Sequence, residues 1–388
     1  MQPTIQPAAP PVQKPNRIGV CDGLALVYVL VLPFNGLALG ARSLPFAVGA
    51  GYLIARVIAV ISGRSGFGGA TVPMVLPAGI YAVFCALSYY WSIWPEGTIV
   101  HVLTLSLMVV TSWALSVSFA SRPQVIPVAF LAGSCALAVF VVLSPTSWDD
   151  RRTAFGNAND VALSLAVGLA CAVYLITFRP GAARWFGSLS LPFVLTGMIS
   201  TGSRTAVIAA AAIAVPLIFV LCRQRAWSRV LGVTVVGVVT ITTLVYLPAR
   251  FLPERILGID SALGGSTLSN RTVLWDAILA RGQDLFGLGA GGLPFYLRSY
   301  GTGAVAHNVV LGVLAETGWI GLLLFIFVLV RAMLDGRHSA CRTLLPLIAL
   351  PVAVASFTLT LETDRLFWFV IALAWAIPRR PVLSGGAT

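Results

Sequence analysis

Residues 303–333 read GAVAHNVVLGVLAETGWIGLLLFIFVLVRAM. From Val309 onward the run is apolar up to Arg331, broken only by Glu316 and Thr317. Roughly 20 such residues cover a hydrocarbon core of about 30 Å, so the stretch predicts one membrane-spanning helix. Two residues do not belong to a plain span. His307, one of three histidines in the chain, opens it, and Glu316 sits a third of the way along. Nine residues separate them, which is half-way round a helix and about 13.5 Å along it, so they cannot touch directly. Glu316 is therefore predicted to face another helix, hydrogen-bonded or protonated, and to lock the packing there. His307 is predicted at the membrane boundary. A histidine there either caps the helix or, titrating near physiological pH, serves as a general base.

The rest of the chain repeats the apolar pattern. Of 388 residues, 58% are hydrophobic and 10% charged, and the mean hydropathy is +0.93. A soluble domain would carry about a quarter charged residues. The runs are continuous, whereas barrel strands would show alternating segments of about 10 residues. The expected fold is all-α: a polytopic transmembrane protein of about 12 spans. Their expected limits are 20–39, 44–62, 72–91, 98–119, 124–143, 159–178, 186–200 (with room to begin earlier), 205–222, 229–247, 306–331, 342–359 and 363–377. Residues 1–19, rich in Pro and Gln, are expected to be a disordered cytoplasmic tail. Residues 20–388 are expected to form a single transmembrane domain whose first run is an uncleaved anchor.

The net charge of +12 comes from 24 arginines and Lys14 against 13 acids. The arginines are dispersed among loops rather than gathered on one stripe, which argues against nucleic acid and for topology signals and membrane-lipid contact. With both termini in the cytoplasm, the inner segments hold fourteen Lys and Arg residues. The short outer segments hold five: Arg42, Arg151, Arg152, Arg204 and Arg365. Segment 248–306 then becomes the main periplasmic loop. Function is expected on that outer face, because its arginines run against the charge rule. The six cysteines (Cys21, Cys85, Cys135, Cys171, Cys222, Cys341) form no CxxC and read as small buried side chains. No metal site is expected around His307, since His101 and His338 lie elsewhere in the sequence.

Four outer segments carry chemistry-bearing residues. In STGSRTA (200–206), Arg204 stands at the junction of two spans. It either snorkels to the headgroups or, with Ser203, Thr205 and a helix start, recognises an anion such as phosphate. In LSNRTVLWDAILARG (268–282), Ser269 is a plausible helix cap, and Leu274, Ala277, Ile278 and Arg281 form one stripe of an amphipathic surface helix. Arg271 lies in its first turn, where helix electrostatics would prefer an acid, so a ligand is the stronger reason for it. In SPTSWDDRRTAFGNAN (144–159), Arg151 and Arg152 follow Asp149 and Asp150 and either pair with them or bind substrate. LFGLGAGGLPFY (285–296) satisfies G-x-G-x-x-G at Gly287, Gly289 and Gly292, but without a preceding strand it reads as a flexible or tightly turning loop beside a ligand rather than a dinucleotide site.

With these residues in view, the chain resembles the O-antigen ligase and polymerase superfamily of bacterial envelope glycan enzymes. The resemblance rests on HNVVLGVLAETGWIG (307–321), similar to that family's His-Asn…Leu…Glu-x-Gly-x-x-Gly signature. It also rests on TGSRTA (201–206), NRTVLWDAI (270–278), LFGLGAGG (285–292) and FGNANDVALSLA (155–166), in that family's order. It covers about residues 145–330. It implies a multi-pass protein of the bacterial inner membrane. The implied donor is an undecaprenyl-diphosphate-linked glycan, and the acceptor is lipid A–core for a ligase or another glycan unit for a polymerase, without metal or other cofactor. It implies catalytic roles for His307, Arg204 and Arg271, and substrate contacts for Arg151, Arg152, Asn157 and Asn308.

The chemistry fits the residue types. Fixed arginines stabilise the charge that develops on a diphosphate leaving group, and a base near the acceptor hydroxyl takes its proton. A single attack inverts the anomeric centre. The outer segments show no carboxylate pair at hydrolase spacing. The ligase reading is slightly preferred to the polymerase reading. The rival class, a flippase or transporter, would call for repeated halves and ionisable residues near mid-membrane.

Overall fold

The computed structural model describes residues 19–39, 42–63, 72–144, 157–223, 274–279, 284–298 and 306–378. The described residues are helical apart from a two-residue pairing of Ala38–Leu39 with Arg42–Ser43. In chain order the labelled helices are α1 (Val20–Val31), α2 (Leu44–Ile61), α3 (Val72–Leu87), α4 (Pro95–Ser121), α5 (Ile126–Leu143), α6 (Ala158–Phe178), α7 (Ala182–Ser200) and α8 (Arg204–Arg223). They continue with α9 (Leu293–Arg298), α10 (Val309–Gly336), α11 (Leu345–Ala355) and α12 (Arg365–Ala374).

Among the described residues, six helices are long and apolar enough to cross a membrane: Leu44–Ile61, Val72–Tyr90, Pro95–Ser121, Ile126–Leu143, Ala158–Phe178 and Val309–Gly336. Four further apolar helices are shorter: Val20–Phe34, Ile208–Phe219, Leu345–Ala355 and Arg365–Ala374. The chain is thus a multi-pass helical membrane protein with fewer full-length spans on view than the twelve expected. Helix α8 runs for 20 residues between Arg204 and Arg223, and α12 starts directly after its cap at Asp364. The expected span 229–247 and most of the loop 248–306 lie outside the described residues.

The helices start where elementary rules place them. Proline stands in the first turn of α2, α4, α5 and α11, where its missing N–H costs nothing. Side-chain oxygens of Asn157, Asn308 and Asp364 accept from backbone N–H groups at the starts of α6, α10 and α12. The centre of the bundle is α6, buried along almost its whole length and packed against α5, α7, α8 and α11. Half of its buried positions are Ala, Gly, Ser or Cys, the small residues that let helices approach closely in lipid. Helix α4 packs on α3 and α12, and α10 packs on α3.

The stretch that predicts a single straight span departs from that expectation at one residue. Helix α10 kinks at Gly318, whose φ of 65° and ψ of −167° are not helical. The break frees backbone groups, which must find partners at membrane depth. Residues 284–288 supply them. The N–H groups of Trp319 and Ile320 donate to the carbonyls of Asp284 and Leu285 at 3.3 and 3.2 Å, and Leu288 N–H donates to Ala315 O at 2.9 Å. A Cβ on Gly318 would lie 2.3 Å from Leu285 O, so no other residue fits.

The glycine loop is clasped equally firmly on its other side. Ile93 N–H donates to Leu288 O at 3.0 Å, Ala290 N–H to Ser88 Oγ at 2.9 Å, and Trp91 Nε1 to Phe286 O at 3.0 Å. Gly287, Gly289 and Gly291 all take positive φ, the conformation glycine adopts without penalty. Of the two alternatives, a flexible or a tightly turning loop, the structure shows the second, built into the wall between α3, α4 and α10. Helical residues 274–279 also spend their apolar face inside the protein. Leu274 and Ile278 join Leu288, Leu293, Leu297 and Ala306 in a small second core, so this face is covered by protein rather than lipid.

Candidate functional site

The starts of α6, α8 and α10 and the end of α11 are drawn together at one end of the bundle. Ser203 Oγ donates to Asn159 Oδ1 at 2.7 Å, tying the turn before α8 to the first turn of α6. Thr205 and Thr358 hydroxyls lie 3.2 Å apart, tying α8 to the segment after α11. Val309 N–H donates to Ser356 O at 2.9 Å, which brings the start of α10 to the same place. This chain of bonds gathers Asn157, Arg204, Asn308 and His307, which are up to 151 residues apart in sequence. A further polar group lies at this end: Asn35 Nδ2 donates to Asp364 at 2.8 Å, and Arg365 donates back to Asn35.

Within this rim the individual residues have distinct settings. Asn157 accepts from Asn159 N–H at 2.9 Å and Asn308 accepts from Leu311 N–H at 3.0 Å. Both expected substrate contacts therefore act as helix caps through one side-chain oxygen, which leaves the amide groups available to a ligand. Arg204 is the first residue of α8, so its main chain sits at the positive end of a helix of 20 residues. His307 is the single non-glycine residue with positive φ among the described residues, at 51°. That conformation is uncommon outside glycine and is held only where the surroundings dictate it, often at functional sites. The surroundings here are firm: Trp275 Nε1 donates to Ala306 O at 2.9 Å, and the cap at Asn308 fixes the following residue. Arg151, Arg152 and Arg271 lie outside the described residues. Arg271 is three positions before helical residue Leu274.

About two helical turns below the rim lies a buried polar layer that sequence reading did not assemble. Glu316 on α10 does face another helix, and its partner is His101 on α4. Glu316 Oε2 lies 3.5 Å from His101 Nδ1 and accepts from Gly291 N–H at 2.7 Å. Glu316 therefore fastens the glycine loop to α10 from inside. On the other edge of the imidazole, Nε2 lies 3.5 Å from Glu362 Oε1. Glu362 also accepts from the Tyr81 hydroxyl on α3, and its main-chain oxygen accepts from Trp368 Nε1 at 2.7 Å. The three side chains are only 11%, 10% and 4% exposed, so this is interior chemistry. The Cys85 thiol, an imidazole nitrogen of His101 and a Glu362 oxygen lie within 4.8 Å of one another, a set of atom types able to hold a metal ion.

His101 and Glu362 are the residues missed from sequence. One signal was available for each: His101 is one of three histidines and lies in the second turn of an apolar helix, and Glu362 ends an otherwise apolar segment. Neither neighbour is close in sequence to Glu316, so no spacing could pair them.

Residues 189–326 match the family model described as O-antigen ligase. That region runs from α7 through α8 and the glycine loop to the kinked half of α10, and it contains Arg204, Arg271, His307, Asn308 and Glu316. It excludes Arg151, Arg152, Asn157, His101 and Glu362. No curated protein matches the chain.

Proposed function

We propose that this chain, which belongs to the O-antigen ligase superfamily, transfers a glycan from undecaprenyl diphosphate to an acceptor hydroxyl at the rim formed by α6, α8 and α10. The observation that carries the proposal is the convergence of Arg204 and His307 at one end of the bundle through the Ser203–Asn159, Thr205–Thr358 and Val309–Ser356 contacts. The reading is supported by the main-chain positions of Arg204 and His307, which stand at the starts of helices α8 and α10 that these contacts tie together.

The roles follow from the bond that breaks. As the anomeric C–O bond of the donor lengthens, negative charge grows on the departing diphosphate. Arg204 and Arg271 are assigned to that charge, with the start of α8 adding its N–H groups. His307 is assigned to the acceptor hydroxyl, taking its proton as the oxygen attacks C1. The attack is single and in line, so the anomeric configuration inverts, the diphosphate carrier leaves, and the proton ends on the imidazole. Asn157 and Asn308 contribute their free amide groups to the sugars, and Arg151 and Arg152 add positive charge to the approach. The scheme uses no metal at the reacting diphosphate.

This face is assigned to the periplasm, in a bacterial inner membrane with both chain termini cytoplasmic, from the excess of arginine on the other side. The acceptor is assigned as lipid A–core, which makes the enzyme a ligase; a polymerase joining lipid-linked repeat units would use the same rim. Deleting the gene and analysing the cell's glycans separates the two. Full-length unattached polymer is expected for a ligase, and single repeat units on the lipid carrier would indicate a polymerase. Unchanged glycans, with transfer absent from membranes supplied with donor and acceptor, would overturn the transferase reading.

A further inference from the structure

We infer that Cys85, His101 and Glu362 form a three-ligand site for a divalent transition-metal ion, zinc in the first instance, buried beneath the rim. The three donors are a thiol, an imidazole and a carboxylate from α3, α4 and the segment before α12, and their atoms lie within 4.8 Å of one another. Tetrahedral zinc holds nitrogen and oxygen ligands at about 2.0–2.2 Å, which places two such ligand atoms roughly 3.4 Å apart. His101 Nε2 and Glu362 Oε1 are 3.5 Å apart.

The state of His101 Nε2 is the second observation. The atom is buried and faces Glu362 Oε1 at 3.5 Å, longer than a good hydrogen bond, so the contact leaves it poorly satisfied. A metal ion would satisfy it. The far side of the ring is arranged as in zinc sites where the ligating histidine gives its other N–H to a carboxylate: Nδ1 faces Glu316 Oε2 at 3.5 Å. Glu316 would orient the ligand, and Tyr81, which donates to Glu362, would hold the carboxylate.

Charge points the same way. Glu316 and Glu362 face a single imidazole, with no lysine or arginine paired to either among the described residues. Two carboxylates are expensive in a low-dielectric interior, and a divalent cation compensates both. The mixed sulfur, nitrogen and oxygen set favours zinc over magnesium or calcium, which take oxygen ligands. Binding would release the thiol proton of Cys85 and leave Nε2 deprotonated, so occupancy would rise with pH. The ion would pin α3, α4 and the segment before α12 together below the rim, away from the diphosphate.

The test uses the full chain in detergent micelles, without a polyhistidine tag, stripped with a chelator and titrated with zinc chloride. About one zinc per chain is expected by elemental analysis, with a higher melting temperature in the loaded form. Cobalt should reproduce the site and show a thiolate-to-metal charge-transfer band. Cys85→Ser should abolish that band, and His101→Gln and Glu362→Gln should each weaken zinc binding at least tenfold. Should a substitution prevent folding, the band and the zinc-dependent melting shift of the unmodified chain still decide. A stripped, folded chain that takes up no zinc, or a chain whose cobalt form has no thiolate band, would overturn the site without touching the transferase proposal, whose readout is glycan transfer.

Discussion

The rim and the layer beneath it each centre on a histidine among other polar side chains and differ in how those residues are held. In the buried layer, His101, Glu316, Glu362 and Tyr81 face one another from four segments, and Glu316 is saturated further by Gly291 N–H. At the rim, Asn157 and Asn308 spend one oxygen each on a helix start, and His307 holds a backbone conformation that side chains seldom adopt. The contrast separates two tasks. Polar side chains that face one another across segments fix helices in place, whereas those that spend one atom on a helix start keep the rest for something else. Glu316 and His307, nine residues apart on one sequence motif, fall on opposite sides of that division.

The division can be attacked from its most demanding point downward. Gly318→Val should give the largest effect. It combines a forbidden φ with a Cβ 2.3 Å from Leu285 O, and the loss should reach the exceptional range above about 4 kcal/mol. Size-exclusion profiles of the purified variant are expected to show no monodisperse protein; a well-behaved variant would mean the clasp between the glycine loop and α10 is dispensable. Next, Arg204→Ala should cut glycan transfer by about 10²–10³-fold, the usual consequence of losing one group that stabilises developing charge. Its melting temperature should change little, and normal transfer would remove Arg204 from the diphosphate.

Glu316→Gln keeps an oxygen for Gly291 N–H but loses the charge facing His101. A cost of about 1–3 kcal/mol is expected, as for a buried polar group left badly matched. Thermal unfolding should record it, with transfer per folded molecule retained; a fully stable but inactive variant would move Glu316 into the chemistry and break the comparison. Asn308→Ala should be mildest in stability, at about 1 kcal/mol for a lost helix cap. A drop in transfer out of proportion to that loss would show the free amide in use.

How much of this was legible in the sequence depends on the range of the interaction. Helix starts at Asn157, Asn308 and the prolines are local events, and the residues announce them. Glu316 could be predicted to face a neighbouring helix, because a lone acid in an apolar run has no alternative. The identity of that neighbour could not, since His101 lies 215 residues away and tertiary packing alone pairs them. The Gly318 kink was hidden for a related reason. A single glycine in an apolar helix is commonly tolerated, and its positive φ becomes necessary only because the loop at 284–288 inserts beside it. LFGLGAGG and ETGWIG thus belong to one structural device, which neither reveals when read alone. The arginines of the expected outer segments stand out in the sequence by breaking the charge rule, and one of them, Arg204, is the first residue of α8, at the junction the local reading expects.

The measurement that bears most directly on the rim as the reacting surface is transfer by His307 variants in reconstituted membranes supplied with a polyprenyl-diphosphate glycan and its acceptor. His307→Asn is the informative substitution, because asparagine accepts a left-handed backbone and so leaves the turn before α10 intact. Transfer is expected to fall by about 10²–10⁴-fold in His307→Asn and His307→Ala alike, the range lost with a general base, while the melting temperature of His307→Asn stays near that of the unmodified protein. Near-normal transfer in a folded His307→Asn protein would contradict the assignment and shift the chemistry away from the start of α10.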